Sequence, residues 1–254
     1  MNDAPKPATT LDSVLGGRVT LHQPALGYRV AIDPILLAAA CPAEPGEAVV
    51  DLGCGVGTAA LCLARRVPDV RCVGVDLQGE LATLANQNAR ENTLAERVRF
   101  LAGDILDRAL PIYAQPSDHV IVNPPYLKRG TATPSDNPMK ALANIEGEAD
   151  LAAWVAAAVK ATRPGGTITF IHRADRLPEL LSLLGARCGG LVIQPLHPKA
   201  DAAAHRAIVA GRLDQRLPAI LLPGLIVHEA DGSFSAPMQR VLRDAAALPM
   251  MVGV

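Results

Sequence analysis

Ala48-Val49-Val50-Asp51-Leu52-Gly53-Cys54-Gly55-Val56-Gly57-Thr58 decides the fold. An apolar run of strand length enters three alternating glycines, and an apolar helical stretch, Ala59 to Arg66, follows. The pattern reads as a buried strand, a glycine-rich turn and a helix. Glycine has no Cβ, so a ligand can approach such a turn closely. The next strand-like run, Val70-Arg71-Cys72-Val73-Gly74-Val75, ends in Asp76. A carboxylate at that tip can accept hydrogen bonds from both hydroxyls of a ribose. The separation of Asp51 from Asp76 suits one βαβ unit.

Working outward, Val98-Arg99-Phe100-Leu101-Ala102 reads as a third strand and ends in Gly103-Asp104. The dipeptide alone is equally an Asx turn. His119-Val120-Ile121-Val122 reads as a fourth strand and runs into Asn123-Pro124-Pro125-Tyr126. Two successive prolines cannot extend a ladder, so the strand stops there. The turn leaves an amide and an aromatic ring at a strand's C-terminal edge, where open α/β sheets bind ligands. The Asn123 amide and the Pro124 carbonyl can accept hydrogen bonds from an NH2 group. The Tyr126 ring can stack on a flat base.

The glycine spacing separates two kinds of nucleoside cofactor. A dinucleotide fingerprint wants Gly-x-Gly-x-x-Gly, but here Gly53, Gly55 and Gly57 alternate and Thr58 stands where the third glycine belongs. Asp51 would repel a pyrophosphate and suit an ammonium group. Asp-x-Gly-x-Gly-x-Gly followed by Asp76 resembles the S-adenosylmethionine site of class I methyltransferases.

The coarse reading gives strands near 47–52, 70–75, 98–102, 119–122, 166–171, 191–195 and 206–211. Helices fall near 57–66, 79–91, 148–162 and 175–184. Alternation of the two predicts an α/β, Rossmann-like fold with a seven-stranded, mostly parallel sheet and helices on both faces. Residues 1–14 read as a flexible tail and 15–254 as one domain, with 15–46 an N-terminal strand and helix. Asp33-Pro34 is expected to cap and open that helix, and Pro164-Gly165-Gly166 to form a turn before a strand. Residues 127–147 lack periodicity and are expected to be a substrate loop. Leu217 to Glu229 reads as a hairpin or edge strand, and 236–247 as a terminal helix.

Composition narrows the function. The chain has 254 residues, net charge −1, 50% hydrophobic and 19% charged residues, which is globular rather than disordered. Charge balance gives no global signature of nucleic-acid binding, so local basic residues must serve: Lys128-Arg129 after the turn, His172-Arg173 with Arg176, and Arg18 with Arg29. No apolar run of membrane-spanning length and no secretory signal appear, and a cytoplasmic location without membrane contact is expected. The five cysteines show no metal-ligand spacing, so reduced buried thiols and no metal are expected. Cys54 should line the glycine turn with its backbone.

Further segments join these motifs: Leu15-Gly16-Gly17-Arg18, Gly27-Tyr28-Arg29 with Asp33-Pro34-Ile35-Leu36-Leu37-Ala38, Pro195-Leu196-His197 and His228-Glu229-Ala230-Asp231-Gly232. Together they make the chain resemble the bacterial tRNA adenine N6-methyltransferases that act next to the anticodon of a valine tRNA. Gly211-Arg212-Leu213 departs from the lysine-glycine pair common there. The resemblance implies S-adenosylmethionine as cofactor and tRNA as substrate. Asp51, Gly53, Cys54, Gly55, Gly57 and Thr58 would hold its methionine end. Asp76 would hold the ribose, Leu77, Gly103 and Asp104 the adenine, and Asn123 would touch both cofactor and target. Asn123, Pro124, Pro125 and Tyr126 would be catalytic, and Lys128, Arg129 and Arg29 would contact substrate. Arg29 and Asp33 are expected to pair or to fix the N-terminal helix. Rival readings are a glutamine methyltransferase of release factors, a ribosomal guanine N2-methyltransferase, and a non-catalytic cofactor- or RNA-binding module. The first normally carries a helical domain ahead of the cofactor loop. Monomer and homodimer both stay open.

Overall fold

A computed structural model describes residues 9–26, 31–126 and 149–250. In chain order its strands are β1 Thr9–Val14, β2 Val19–Pro24, β3 Ala48–Leu52, β4 Arg71–Asp76, β5 Val98–Ala102, β6 Ser117–Val122, β7 Thr162–Arg173, β8 Cys188–His197, β9 Arg206–Leu213, β10 Ile220–Leu221 and β11 Leu225–Ile226. The α-helices are α1 Asp33–Ala40, α2 Thr58–Arg66, α3 Gly79–Glu91, α4 Pro111–Ala114, α5 Leu151–Ala161, α6 Leu177–Gly185 and α7 Ala236–Asp244.

The main sheet runs β10-β8-β9-β7-β6-β3-β4-β5, with β11 also on β8. Only β9 is antiparallel to its neighbours; every other pairing in this sheet is parallel. Strands buried on both faces must be apolar throughout, and alternate residues divide between two cores. Val49, Cys72, Val98 and Ile121 pack with α1, α2 and α3. Val50, Leu52, Val75, Val120 and Val122 pack with α4, α5 and α6. With 3% aromatics the small side chains of α2 and α5 let helices lie close to the sheet, and Phe170 fills its centre fully buried.

The class I methyltransferase fold expected from the alternating pattern is therefore present, with several differences. The sheet has nine strands rather than seven, because β10 and β11 add two-residue pairings along the edge of β8. Of the two alternatives expected over Leu217 to Glu229, they are the edge strand and not the hairpin, and they run parallel to β8. The tail expected over 1–14 gives way at Thr9, where β1 pairs antiparallel with β2 from Thr9↔Pro24 to Val14↔Val19. That ribbon has no buried face on β1, so it carries no apolar alternation to read. Pro164-Gly165-Gly166 does not end a strand. β7 continues through it while its pairing moves from Ser117↔Thr162 to His119↔Thr167, so extra residues bulge from the ladder. Ile32, not Asp33, occupies the N-cap of α1, and the Asp33 side chain makes no cap bond. The expected substrate loop lies outside the described residues.

Candidate active site

Strands β3, β4, β5, β6 and β7 are parallel and in register, so their C-terminal tips share one edge. Leu52 pairs with Val75 and with Val122, Asp76 with Ala102, and Val122 with Phe170. From β3 the chain adds β4 and β5 on one side, then returns to add β6 and β7 on the other. The order reverses between β3 and β6, and the crevice at such a switch point is where this sheet class binds ligands. The glycine turn after β3 flanks that crevice, and the Asn123 turn after β6 faces it from the next strand.

The glycine turn is built by its own bonds. Gly53 N–H and Cys54 N–H donate to Val75 carbonyl oxygen at 2.8 and 3.1 Å, and Gly57 N–H donates to that of Cys54 at 2.9 Å. Gly55 N–H donates to Asp76 Oδ2 at 2.8 Å. Gly57 has φ +86°, and a Cβ there would strike the Phe100 ring at 2.5 Å. Gly55 has φ +54°, yet a Cβ would meet nothing within 4 Å, so the turn is open at this point. These four amides are engaged inside the protein, so contact from this turn to a ligand falls to its other atoms.

Asp51 is buried at the end of β3 and accepts one bond, from Ala60 N–H at 3.3 Å. Burial pushes its carboxyl up to about 7, the Ala60 bond opposes this, and the nearby Asp76 charge adds to it. No cation pairs with it among the described residues. Asp76 accepts from Gly55 and, through Oδ1, from Gln78 N–H at 2.9 Å. Burial raises its carboxyl above the usual range, against those two bonds. Each carboxylate oxygen keeps a lone pair for a further donor. Leu77, the next residue, is 68% exposed. Asp104 closes an Asx turn through Oδ1 to Leu106 N–H at 2.9 Å. Cys54 is a buried thiol held well above its ordinary pKa by desolvation, so it is no nucleophile. Thr58 Oγ1 is buried and has no hydrogen-bond partner among the described residues.

Beside β6, the Tyr126 hydroxyl lies 2.5 Å from Asp33 Oδ2 and 2.8 Å from Asn123 Oδ1. Arg206 Nε donates to the same Asp33 oxygen at 2.6 Å. Its guanidinium lies over the Tyr126 ring at 5.3 Å, and His172 stacks on that ring at 5.6 Å. Asp33 thus pairs with Arg206, which nothing in the local sequence singles out. Arg29, Lys128 and Arg129 lie outside the described residues. The other basic candidates are engaged within the protein. His172 is buried and pushed down to about 4 by desolvation and the Arg176 charge, so it is neutral. Arg173 pairs with Asp175 at 2.6 Å, and buried Arg176 pairs with Glu179 at 3.1 Å. Arg18 bonds the backbone carbonyls of Leu15 and Arg243.

A family model described as a methyltransferase domain matches residues 43–188. A tRNA1(Val) (adenine(37)-N6)-methyltransferase of Aeromonas hydrophila is 31% identical over 214 residues, covering 82% of this chain and 85% of that one. This chain belongs to that family. The methyltransferase is also 28% identical over 173 residues to a release factor glutamine methyltransferase of Chlorobaculum tepidum, covering 65% of this chain and 59% of that one. Among solved structures, a predicted O-methyltransferase of Agrobacterium tumefaciens superposes with a TM-score of 0.69 at 26% identity, covering 85% of this chain and 98% of that one.

S-adenosylmethionine is the methyl donor, and the methyltransferase's residues fit it. A buried carboxylate without a cationic side chain at Asp51 suits an ammonium group. Open space over Gly55 suits close approach, and exposed Leu77 offers an apolar surface to an adenine ring. Among the described residues no group of His, Cys, Asp and Glu could hold a metal ion, and no helix is long and apolar enough to cross a membrane.

Proposed function

We propose that this chain methylates the exocyclic N6 amine of an adenine in tRNA, acting in the cytoplasm. The reading is carried by the Asn123-Pro124-Pro125-Tyr126 turn, whose strand β6 lies directly beside β3 and its glycine turn. Two acceptors, the Asn123 side-chain oxygen and the Pro124 carbonyl, would take the two N–H bonds of the amine. That aims the nitrogen lone pair and favours the positive charge developing on nitrogen. The Tyr126 ring would stack on the extruded base.

On the cofactor side, Asp51 would hold the ammonium group and Asp76 the ribose hydroxyls. Leu77, Gly103 and Asp104 would bound the adenine, and Gly55 and Thr58 would line the methionine end. Bound S-adenosylmethionine supplies an electrophilic methyl carbon on sulfonium sulfur. As the N–C bond forms the C–S bond breaks, and one amine proton passes to solvent. Lys128, Arg129 and Arg29 are proposed to meet the RNA backbone, and the long segment 127–147 to bear on the substrate.

The test is incubation with labelled S-adenosylmethionine and either total tRNA or purified release factor, followed by nucleoside mapping. Label in N6-methyladenosine is the expected result. Label in release factor alone would replace this reading with the glutamine enzyme. Asn123→Ala should lower transfer by about 100-fold or more while cofactor affinity persists. Full activity in that variant sinks the assignment of Asn123.

A further inference from the structure

Asp33 is buried at the start of α1, with 4% of its side chain exposed, and its partner Arg206 opens β9. An ionised carboxylate only accepts, and it is costly to bury unless paired. Arg206 Nε supplies one charged donor to Oδ2, and the Tyr126 hydroxyl, 2.5 Å from the same atom, supplies the other. A phenol has one proton. With that proton on Asp33, the phenol oxygen can only accept from Asn123, 2.8 Å away. An amide oxygen facing it would set lone pair against lone pair. The amide nitrogen and oxygen are nearly the same size, so a half-turn of the Asn123 amide brings its NH2 to the phenol without steric cost. The Asn123 carbonyl then faces the opposite way.

We propose that Asp33 is a positioning residue: by taking the Tyr126 proton it makes Asn123 donate to the phenol and turns the Asn123 carbonyl toward the target amine. This rests on the reading that Asn123 accepts from that amine. The chain of bonds has a direction. It runs from the target N–H to Asn123 oxygen, from Asn123 NH2 to Tyr126 oxygen, and from Tyr126 O–H to Asp33. Arg206 anchors its end. An amide in the reverse orientation would offer two donors to an amine that also donates, so the relay selects for an NH2 target by setting one torsion.

A double-variant cycle tests it. Asp33→Ala, Tyr126→Phe and the double variant are assayed on total tRNA with labelled S-adenosylmethionine, and the Tm of each is measured. Loss of one oriented hydrogen bond should lower kcat about tenfold in each single variant, with KM for tRNA little changed. Because Asp33 turns the Asn123 amide through the Tyr126 hydroxyl, while its pair with Arg206 serves the fold and is read in Tm, the kcat of the double variant should lie within about twofold of the singles. Multiplying losses, or an unchanged kcat in folded Asp33→Ala, would overturn the relay. A merely structural Asp33 would cost as much with Phe at 126 as with Tyr, in step with Tm. An inactive Asn123→Ala beside a multiplicative cycle would sink the relay and leave the function standing. A wild-type chain that labels no RNA would sink both.

Discussion

At the scale of single residues, Asp51 carries the most information about conditions. Its carboxyl sits near 7 when folded, against an ordinary 3.8, because burial disfavours the charge. Between those values the folded chain holds a proton that the unfolded chain has lost. The protein alone should therefore lose stability as pH rises through that window, and Asp51→Asn should flatten the slope in Tm against pH. A cationic ligand reverses the balance by favouring the ionised form. Affinity for S-adenosylmethionine should thus rise from about pH 5 to about pH 7, by up to about tenfold per unit, with proton release. Calorimetry in buffers of different ionisation enthalpy reads both effects. An affinity flat across that range would remove Asp51 from the ammonium site.

At the scale of elements, α3 explains how the cofactor turn keeps its shape. Asn86, Asn88 and Asn92 are poor helix formers within one short stretch. Their amides reach beyond the helix, although Asn86 also donates to the Ala82 carbonyl and Asn92 to that of Asn88. Asn86 exchanges two bonds with the Phe100 backbone on β5. Fully buried Asn88 bonds the Val56 carbonyl in the glycine turn and both backbone groups of His22 on β2. Asn92 bonds both backbone groups of Thr20. Tertiary bonds outweigh propensity here, and the local conflict was the available sequence signal for these residues. Asn88→Ala strands buried backbone groups on two other elements. It should cost about 2–4 kcal/mol in urea denaturation and weaken cofactor binding, whereas the same change at half-buried Gln87, whose amide donates to the exposed Glu91 side chain, should cost under about 1 kcal/mol.

At the scale of the whole molecule, one sheet with a core on each face encloses all five cysteines. Desolvation pushes Cys41 and Cys62 up to about 12 and Cys188 up to about 11. Thiol reagents at neutral pH should find no fast-reacting cysteine in the native protein and five after denaturation, with Tm indifferent to reductant. A rapidly modified Cys54 would show the glycine turn to be looser than the fold described. The order of strands and helices was legible because the main strands are buried on both faces and read as apolar runs, and because glycines and prolines punctuate them. Asp51, Asp76, Asp104 and Asn123 were legible as site candidates for a related reason: each lies within two residues of the C-terminal end of a parallel strand, and parallel strands in register bring their tips to one edge. The strand β1, the bulge at Pro164-Gly165-Gly166 and the parallel pairing of β10 and β11 on β8 were not legible, since they depend on a partner's backbone rather than on side-chain pattern. Nor was the environment of Tyr126. Asp33, Asn123, His172 and Arg206 come from four separate parts of the chain, and antiparallel β9 between β7 and β8 carries Arg206 back to the working edge. Local periodicity and turn chemistry act over a few residues, so they settled the strands, the glycine turn and the kind of ligand. Which charge neutralises Asp33, and whether His172 is a surface cation or a buried neutral ring, depended on distant segments meeting, and only the packed fold determined it.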